Sequence, residues 1–371
     1  MRTWAASWAL LLALLGAGCD DDVDSTDRRP TDPARVERAG EGLYRRYCAL
    51  CHGRDGEGYG ADNAPMLAGQ EWLRSASDEF ITAAIANGRP GTPMSAWSRA
   101  HGGPLNDTQI EAIRVYLRSW QRTPRANVEE TVVEGDARRG RLIYVLQCAE
   151  CHGARGEGVD AVALANPAFL ATASDGFLQY AVSHGRTGTR MVAFRDRLEP
   201  EQIDDVVAFI RALGDPAAVA GALRPPPEPV PDLPALADMQ LVINPQGRPA
   251  HFTLREDRFV PAADVQRELE RGRRIVILDA RATSDWLRQR IPGALPVPFY
   301  ELDAIAAELP RDGTPMVAYC ACPHAASGHV VDALRRQGFT NTAVLDEGID
   351  FWAQQGYPIA TGPLDAPAPA E

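Results

Sequence analysis

Seven cysteines fall into groups whose spacing limits what they can do. "CALCHGRDGEG" begins at Cys48 and "CAECHGARGEG" at Cys148, and each places a histidine, His52 or His152, directly after a Cys-x-x-Cys pair. "YCACPHAASG", from Tyr319, holds Cys320 and Cys322 with no histidine in that place, and Cys19 stands apart. Two thiols three positions apart lie on one side of a helical turn. There both reach one macrocycle as thioethers, and the next residue's imidazole sits beneath its iron, which is the chemistry of covalent haem attachment. Disulfides are the default in an exported chain. Zinc would require the two groups to combine into one four-ligand site.

The elements that would carry these residues are duplicated. Setting residue 40 against residue 140 aligns "GEGLYRRYCALCHGRDGEG" with "GRLIYVLQCAECHGARGEG" without a gap. At an offset of 97, "NGRPGTPMSAW" matches "HGRTGTRMVAF" and sets Met94 against Met191. Finally Ile110, Ile113, Leu117 and Trp120 fall opposite Ile203, Val206, Ile210 and Leu213, one apolar stripe on an amphipathic helix in each copy. Asn106 or Asp107 can cap the first of these helices, and Pro200 suits the first turn of the second. Each unit thus reads as a helix leading into Cys-x-x-Cys-His, a Gly-rich loop, a short helix, a methionine-bearing loop and a closing helix. A unit this small is near the size at which a core needs outside help, and a buried haem supplies it. Because each motif sits in its own complete repeat, haem is favoured over disulfide or zinc. A methionine reaching the iron opposite the histidine fills both axial positions and raises the potential, as suits electron carriage. Met66, in "NAPMLAG", has no methionine counterpart in the second unit and is assigned to the core.

On these motifs the stretch from 35 to 214 resembles two tandem class I cytochrome c domains, over 35–124 and 134–214. The resemblance implies two all-α domains with two covalently attached haems c. Cys48, Cys51, Cys148 and Cys151 would be the attachment points, His52 and His152 the proximal iron ligands, and Met94 and Met191 the distal ones.

The chain has 371 residues, a net charge of −12 and no lysine, so that all 38 basic residues are arginine. That balance argues against nucleic acid, whose phosphates need a basic face. The beginning, "MRTWAASWALLLALLGAGC", has an early arginine, an apolar run and small residues before Cys19, the outline of an export signal. The run is too short for the roughly twenty residues a membrane span needs. It resembles a bacterial lipoprotein signal, which implies lipidation of Cys19, a membrane anchor and a periplasmic or other extracytoplasmic location. Residues 1–19 are read as signal and 20–34, acidic and aperiodic, as a flexible tether.

From 215 to 238 the density of proline predicts an extended linker. Beyond it, "RIVILDAR", "PMVAYC" and "TAVLDEG" read as strands and "HVVDALRRQGF" as a helix ending at Gly338, an alternation that predicts a small parallel sheet. Cys320 then stands at the C-terminal end of a strand before a helix, where α/β sites form and a thiolate is favoured. "LDAR", "RIPGALPVPF", "YCACPHAASG" and "DEGIDFWAQQGYPI", in this order, resemble the rhodanese family over 250–362. The resemblance implies a catalytic Cys320 that takes sulfur from a donor as a persulfide. Arg290 and Glu347 depart from the family pattern, and no arginine stands between Ala321 and Ser327. Asp279 and Arg281 are expected to brace the sheet. The fold class expected is therefore multidomain, two helical cytochrome c domains and one α/β domain. The leading expectation is an exported di-haem electron carrier serving redox partner proteins, a respiratory donor or acceptor. Two rivals differ over Cys320: a sulfur-compound oxidoreductase or sulfurtransferase acting on a small sulfur compound, or an inactive docking domain.

Overall fold

A computed structural model of the protein describes residues 32–362 except 62, 129, 225–229, 231–232 and 322–323. The expected signal, Cys19, most of the tether and Cys322 lie outside the described residues. The first unit comprises α1 (Pro33–Tyr47), α2 (Ala49–His52), α3 (Gln70–Ser75), α4 (Asp78–Asn87) and α5 (Asp107–Ser119). The second repeats it with α6 (Ala137–Gln147), α7 (Ala149–His152), α8 (Pro167–Thr172), α9 (Asp175–His184) and α10 (Pro200–Ala212). α1 starts at Pro33, inside the stretch read as tether, because Asp32 accepts a hydrogen bond from the Ala34 amide and Pro33 fits the first turn.

In each unit the first and last helices cross closely, α1 on α5 and α6 on α10. The crossing points are Gly40 and Gly140. A Cβ there would stand 2.0 Å from the Ala112 carbonyl oxygen and 1.8 Å from that of Asp205. The apolar stripes pack into this crossing: Ile110, Ile113, Leu117, Ile203, Val206 and Ile210 are buried. At the end of each closing helix an arginine clamps the turn between the two middle helices. Arg118 donates to Asp78 at 2.7 Å and to the carbonyls of Leu73 and Ala76, and Arg211 donates to Asp175 at 2.6 Å and to those of Leu170 and Ala173.

The two units face each other reciprocally, α3 on α9 and α4 on α8. Phe80 meets Phe177 with centroids 4.7 Å apart and Phe169 at 6.1 Å. The stretch read as a linker begins with a helix, α11 (Pro216–Gly221), because Asp215 caps it and Pro216 suits its first position. It packs on α8. Leu236, near the end of the same stretch, is buried against the C-terminal core.

The C-terminal unit runs β1 (Phe259–Val260), α12 (Ala262–Glu270), β2 (Val276–Asp279), α13 (Thr283–Arg288), β3 (Leu295–Pro296), α14 (Leu302–Ile305), β4 (Met316–Tyr319), α15 (Ala325–Arg336), β5 (Thr342–Leu345) and α16 (Gly348–Gln354). Its five strands form one parallel sheet in the order β1-β5-β4-β2-β3. The three central strands are buried along their whole length, as a sheet covered on both faces requires. Arg281 and Asp279 form a buried pair at 2.7 Å, and the Tyr319 hydroxyl donates to the same carboxylate at 2.7 Å, so the pair braces β2 against β4. Among the described residues no helix is long and apolar enough to cross a membrane.

Candidate functional site

The two Cys-x-x-Cys-His motifs adopt the same conformation. Each occupies one short helix, α2 or α7, closed by a glycine at positive φ, Gly53 at 81° and Gly153 at 84°. Tyr44 and Tyr144, both fully buried, reach over it and donate to the Gly53 and Gly153 carbonyls at 2.8 and 2.9 Å. His52 Nδ1 lies 2.9 Å from the Pro65 carbonyl, and His152 Nδ1 2.9 Å from that of Val162. A carbonyl only accepts, so in both rings Nδ1 carries the proton and Nε2 keeps its lone pair. Burial holds both imidazoles below the usual histidine range, the carbonyl bond opposing it. The neutral ring is the form that binds a metal.

The four thiols beside them form no disulfide. Burial, with the neighbouring Cys51, pushes the Cys48 thiol up to about 12. Cys148 rises to about 11, again chiefly by burial. Met94 and Met191 occupy matching loops: Arg89 and Arg186 amides donate to their carbonyls at 2.8 Å, and Thr92 and Thr189 hydroxyls accept from their amides at 3.2 and 3.1 Å. Met94 and Cys48 both pack against the cluster that contains Tyr47. Among the described residues no three His, Cys, Asp or Glu side chains gather as a metal cluster, so the two motifs do not merge into one site.

The repeats also hold paired residues that reading the motifs missed. Arg89 lies over the rings of Phe80 and Phe169, and Arg186 over that of Phe177. Among the described residues neither guanidinium has a carboxylate within ion-pairing distance, and each side chain donates only to the carbonyl of the preceding glycine. Burial pushes both down to about 10. Two cations so placed suit an anionic group in each crevice, as a haem's propionates are. The signal was present in the sequence as Asn-Gly-Arg against His-Gly-Arg, five residues before each methionine.

Cys320 stands just past β4, ahead of α15, and is 2% exposed. Its Sγ lies 3.2 Å from the hydroxyl of Ser327, which is fully buried. The two departures from the expected pattern have structural uses. Arg290 lies 3.9 Å over the Trp286 ring and donates to the Gly362 carbonyl, and Glu347 accepts from the Ala262 amide at 2.9 Å.

No motif in the chain indicates where this unit sits. It lies against the first cytochrome repeat. Ser95 donates to Asp285 at 2.5 Å, Ser284 to the Ala96 carbonyl at 2.6 Å and Thr283 to that of Gly102 at 2.5 Å. Tyr300 stacks edge-on against Tyr47 at 4.9 Å and near Trp97 at 5.7 Å. α2 meets α15, and burial, then the Cys320 charge, push the Cys51 thiol up to about 11.

Residues 35–117 and 135–210 match the family described as cytochrome C oxidase, cbb3-type, subunit III, and residues 261–355 match the rhodanese-like domain. The chain is 29% identical over 218 residues to the cbb3-type cytochrome c oxidase subunit FixP of Bradyrhizobium diazoefficiens, covering 55% of this chain and 69% of that protein. It is 31% identical over 186 residues to the subunit CcoP of Rubrivivax gelatinosus, covering 49% and 56%. The matched part thus spans between about half and two thirds of these relatives. A rhodanese-related protein of Thermoplasma volcanium is similar to the C-terminal part, with 25% identity, 28% of this chain, 97% of that one and a TM-score of 0.25. The chain accordingly contains two cytochrome c domains, which carry two covalently attached haems c, joined to a C-terminal rhodanese-like domain.

Proposed function

We propose that the protein is a di-haem electron carrier in which Cys48 and Cys51 tether the first haem and Cys148 and Cys151 the second. His52 and His152 would bind the irons through Nε2, and Met94 and Met191 would supply the second protein ligands. The observation that carries this reading is the pair of matching Nδ1 contacts, which leaves one imidazole lone pair free in each crevice. Methionine–histidine ligation supplies one-electron exchange at a raised potential. The chain's own residues hold each imidazole in one tautomer, bury it, and set Arg89 and Arg186 where propionates need a cation.

The external partner is a redox protein of a respiratory chain, in line with the names of the relatives, and it meets the second domain. Three apolar side chains on α6, Leu142, Val145 and Leu146, are 69%, 51% and 78% exposed at helical spacing, just ahead of Cys148. The corresponding positions of the first domain, Gly42, Arg45 and Arg46, carry no apolar side chain. Export with a lipid on Cys19 would hold the chain at a membrane surface, and Cys320 is the sulfur-handling residue.

Intact mass and redox-monitored visible spectra test the reading. Two haem masses are expected, and Met94→Ala and Met191→Ala should each lower the potential of one haem and leave the other. Bare polypeptide mass, or potentials that ignore both substitutions, would overturn it.

A further inference from the structure

The rhodanese-like domain is placed by residues that the two repeats do not share. Tyr47, which stacks on Tyr300, is Gln147 in the second repeat. Leu50, packed against the third domain's core, is Glu150, and Ser95, bonded to Asp285, is Val192. Those three counterparts are exposed. The differences between otherwise similar copies therefore direct the third domain to the first haem's attachment helix.

At the centre of this contact, Leu50, Cys51, Ala61 and Ala64 join the same apolar cluster as Cys320, Ala326 and Val330. Cys51 is a residue that would carry the first haem, so the thiol at the end of β4 packs in one cluster with an attachment point of that haem. Cys320 itself is 2% exposed. Ser327 is fully buried beside it, and a Cβ on Gly348 would come within 2.6 Å of the Cys320 carbonyl oxygen. No arginine stands among the described residues from 320 to 327 to hold a large oxyanion.

We propose that Cys320 oxidises hydrosulfide, with the two haems as the electron acceptor and the first haem as the entry point. The Cys320 thiolate and HS⁻ form one S–S bond, giving the persulfide Cys320–S–S⁻. The S–H bond breaks and its proton leaves to water. The two electrons released are taken singly by the two ferric haems, so one sulfur bound corresponds to both haems reduced. The inference rests on the di-haem reading above and adds to it a substrate class and a direction of flow, from Cys320 through the first domain to the second and out to the partner.

The test adds sodium sulfide, without oxygen, to the oxidised full-length haem-loaded protein and follows both visible spectrum and intact mass. Reduction of both haems is expected together with the mass of one sulfur atom, located on Cys320 by peptide mapping. Cys320→Ser should lose both signals while ascorbate still reduces its haems, which reports that the haem domains remain folded, and its far-ultraviolet circular dichroism should match wild type, which reports the same of the rhodanese-like domain. Leu50→Glu, which installs the residue the second repeat carries, should keep Cys320 but lose rapid reduction by sulfide. Reduction that persists in Cys320→Ser, or sulfur gained without haem reduction, overturns the inference. Absence of haem, or failure of ascorbate to reduce it in any form of the protein, instead refutes the di-haem reading itself.

Discussion

Two glycines on α1, two residues apart, allow the helix crossing that positions each haem-binding motif to be tested with its own control. A Cβ on Gly40 would stand 2.0 Å from the Ala112 carbonyl oxygen, 2.6 Å from its carbon and 2.9 Å from Tyr116 Cβ, whereas one on Gly42 meets nothing within 4 Å. Alanine at either position gains about 1 kcal/mol of helix propensity over glycine. At Gly42 that gain stands alone, so Gly42→Ala should raise the melting temperature of the first domain by several degrees, since about 1 kcal/mol corresponds to roughly 4–8 °C for a unit of this size. At Gly40 the obstacle is backbone of α5, so the helices must part by about 1 Å, and overpacking of this kind costs about 1–3 kcal/mol or more. The net effect should be destabilising and should loosen the hold of Tyr44 on the Gly53 carbonyl. The assay is thermal unfolding of the haem-loaded protein followed by haem absorbance, which reports the haem domains without the rhodanese-like one. A Gly40→Ala protein as stable as wild type, or as stable as Gly42→Ala, would show that the crossing does not depend on this close approach.

Other substitutions probe the second domain. Leu146→Glu on the exposed stripe should change stability by no more than about 0.5 kcal/mol, as surface changes do, yet slow electron exchange with the redox partner in stopped-flow measurements. Unchanged rates would place the partner elsewhere. Asp205, buried on α10, receives bonds from Arg139 at 2.6 and 2.8 Å, and Arg139, ahead of the Asp136 amide, holds its carboxyl below the usual range. A depressed carboxylate contributes stability above its unfolded value near about 3.9 and loses it as pH falls through the folded value. Acid unfolding of the second domain should therefore steepen below about pH 4, and Asp205→Asn should flatten that dependence. An unaltered acid profile in the variant would assign the transition to other groups.

Haem chemistry, the duplication and the alternation of strand and helix in the C-terminal part were legible in the sequence because they are local. Cys-x-x-Cys-His binds one macrocycle through residues within a single turn, and the buried stripe from Ile110 to Leu117 repeats from Ile203 to Ile210. The same locality explains where structure and sequence pattern differ. A proline-rich composition predicts extension from 215, but Asp215 and Pro216 start a helix once α8 offers it a surface. The two-residue strands β1 and β3 carry too little pattern to be seen without the sheet that pairs them. The docking of the third domain was decided only by tertiary structure. Tyr47 and Tyr300, or Ser95 and Asp285, are far apart in the chain, and no spacing rule links them. Which surfaces meet depends on matched shapes and paired hydrogen-bonding groups that exist only after each domain has folded. The sequence thus determined that two haem-binding motifs and a third cysteine cluster are present, and the fold alone determined that Cys320 packs beside the first motif and not the second.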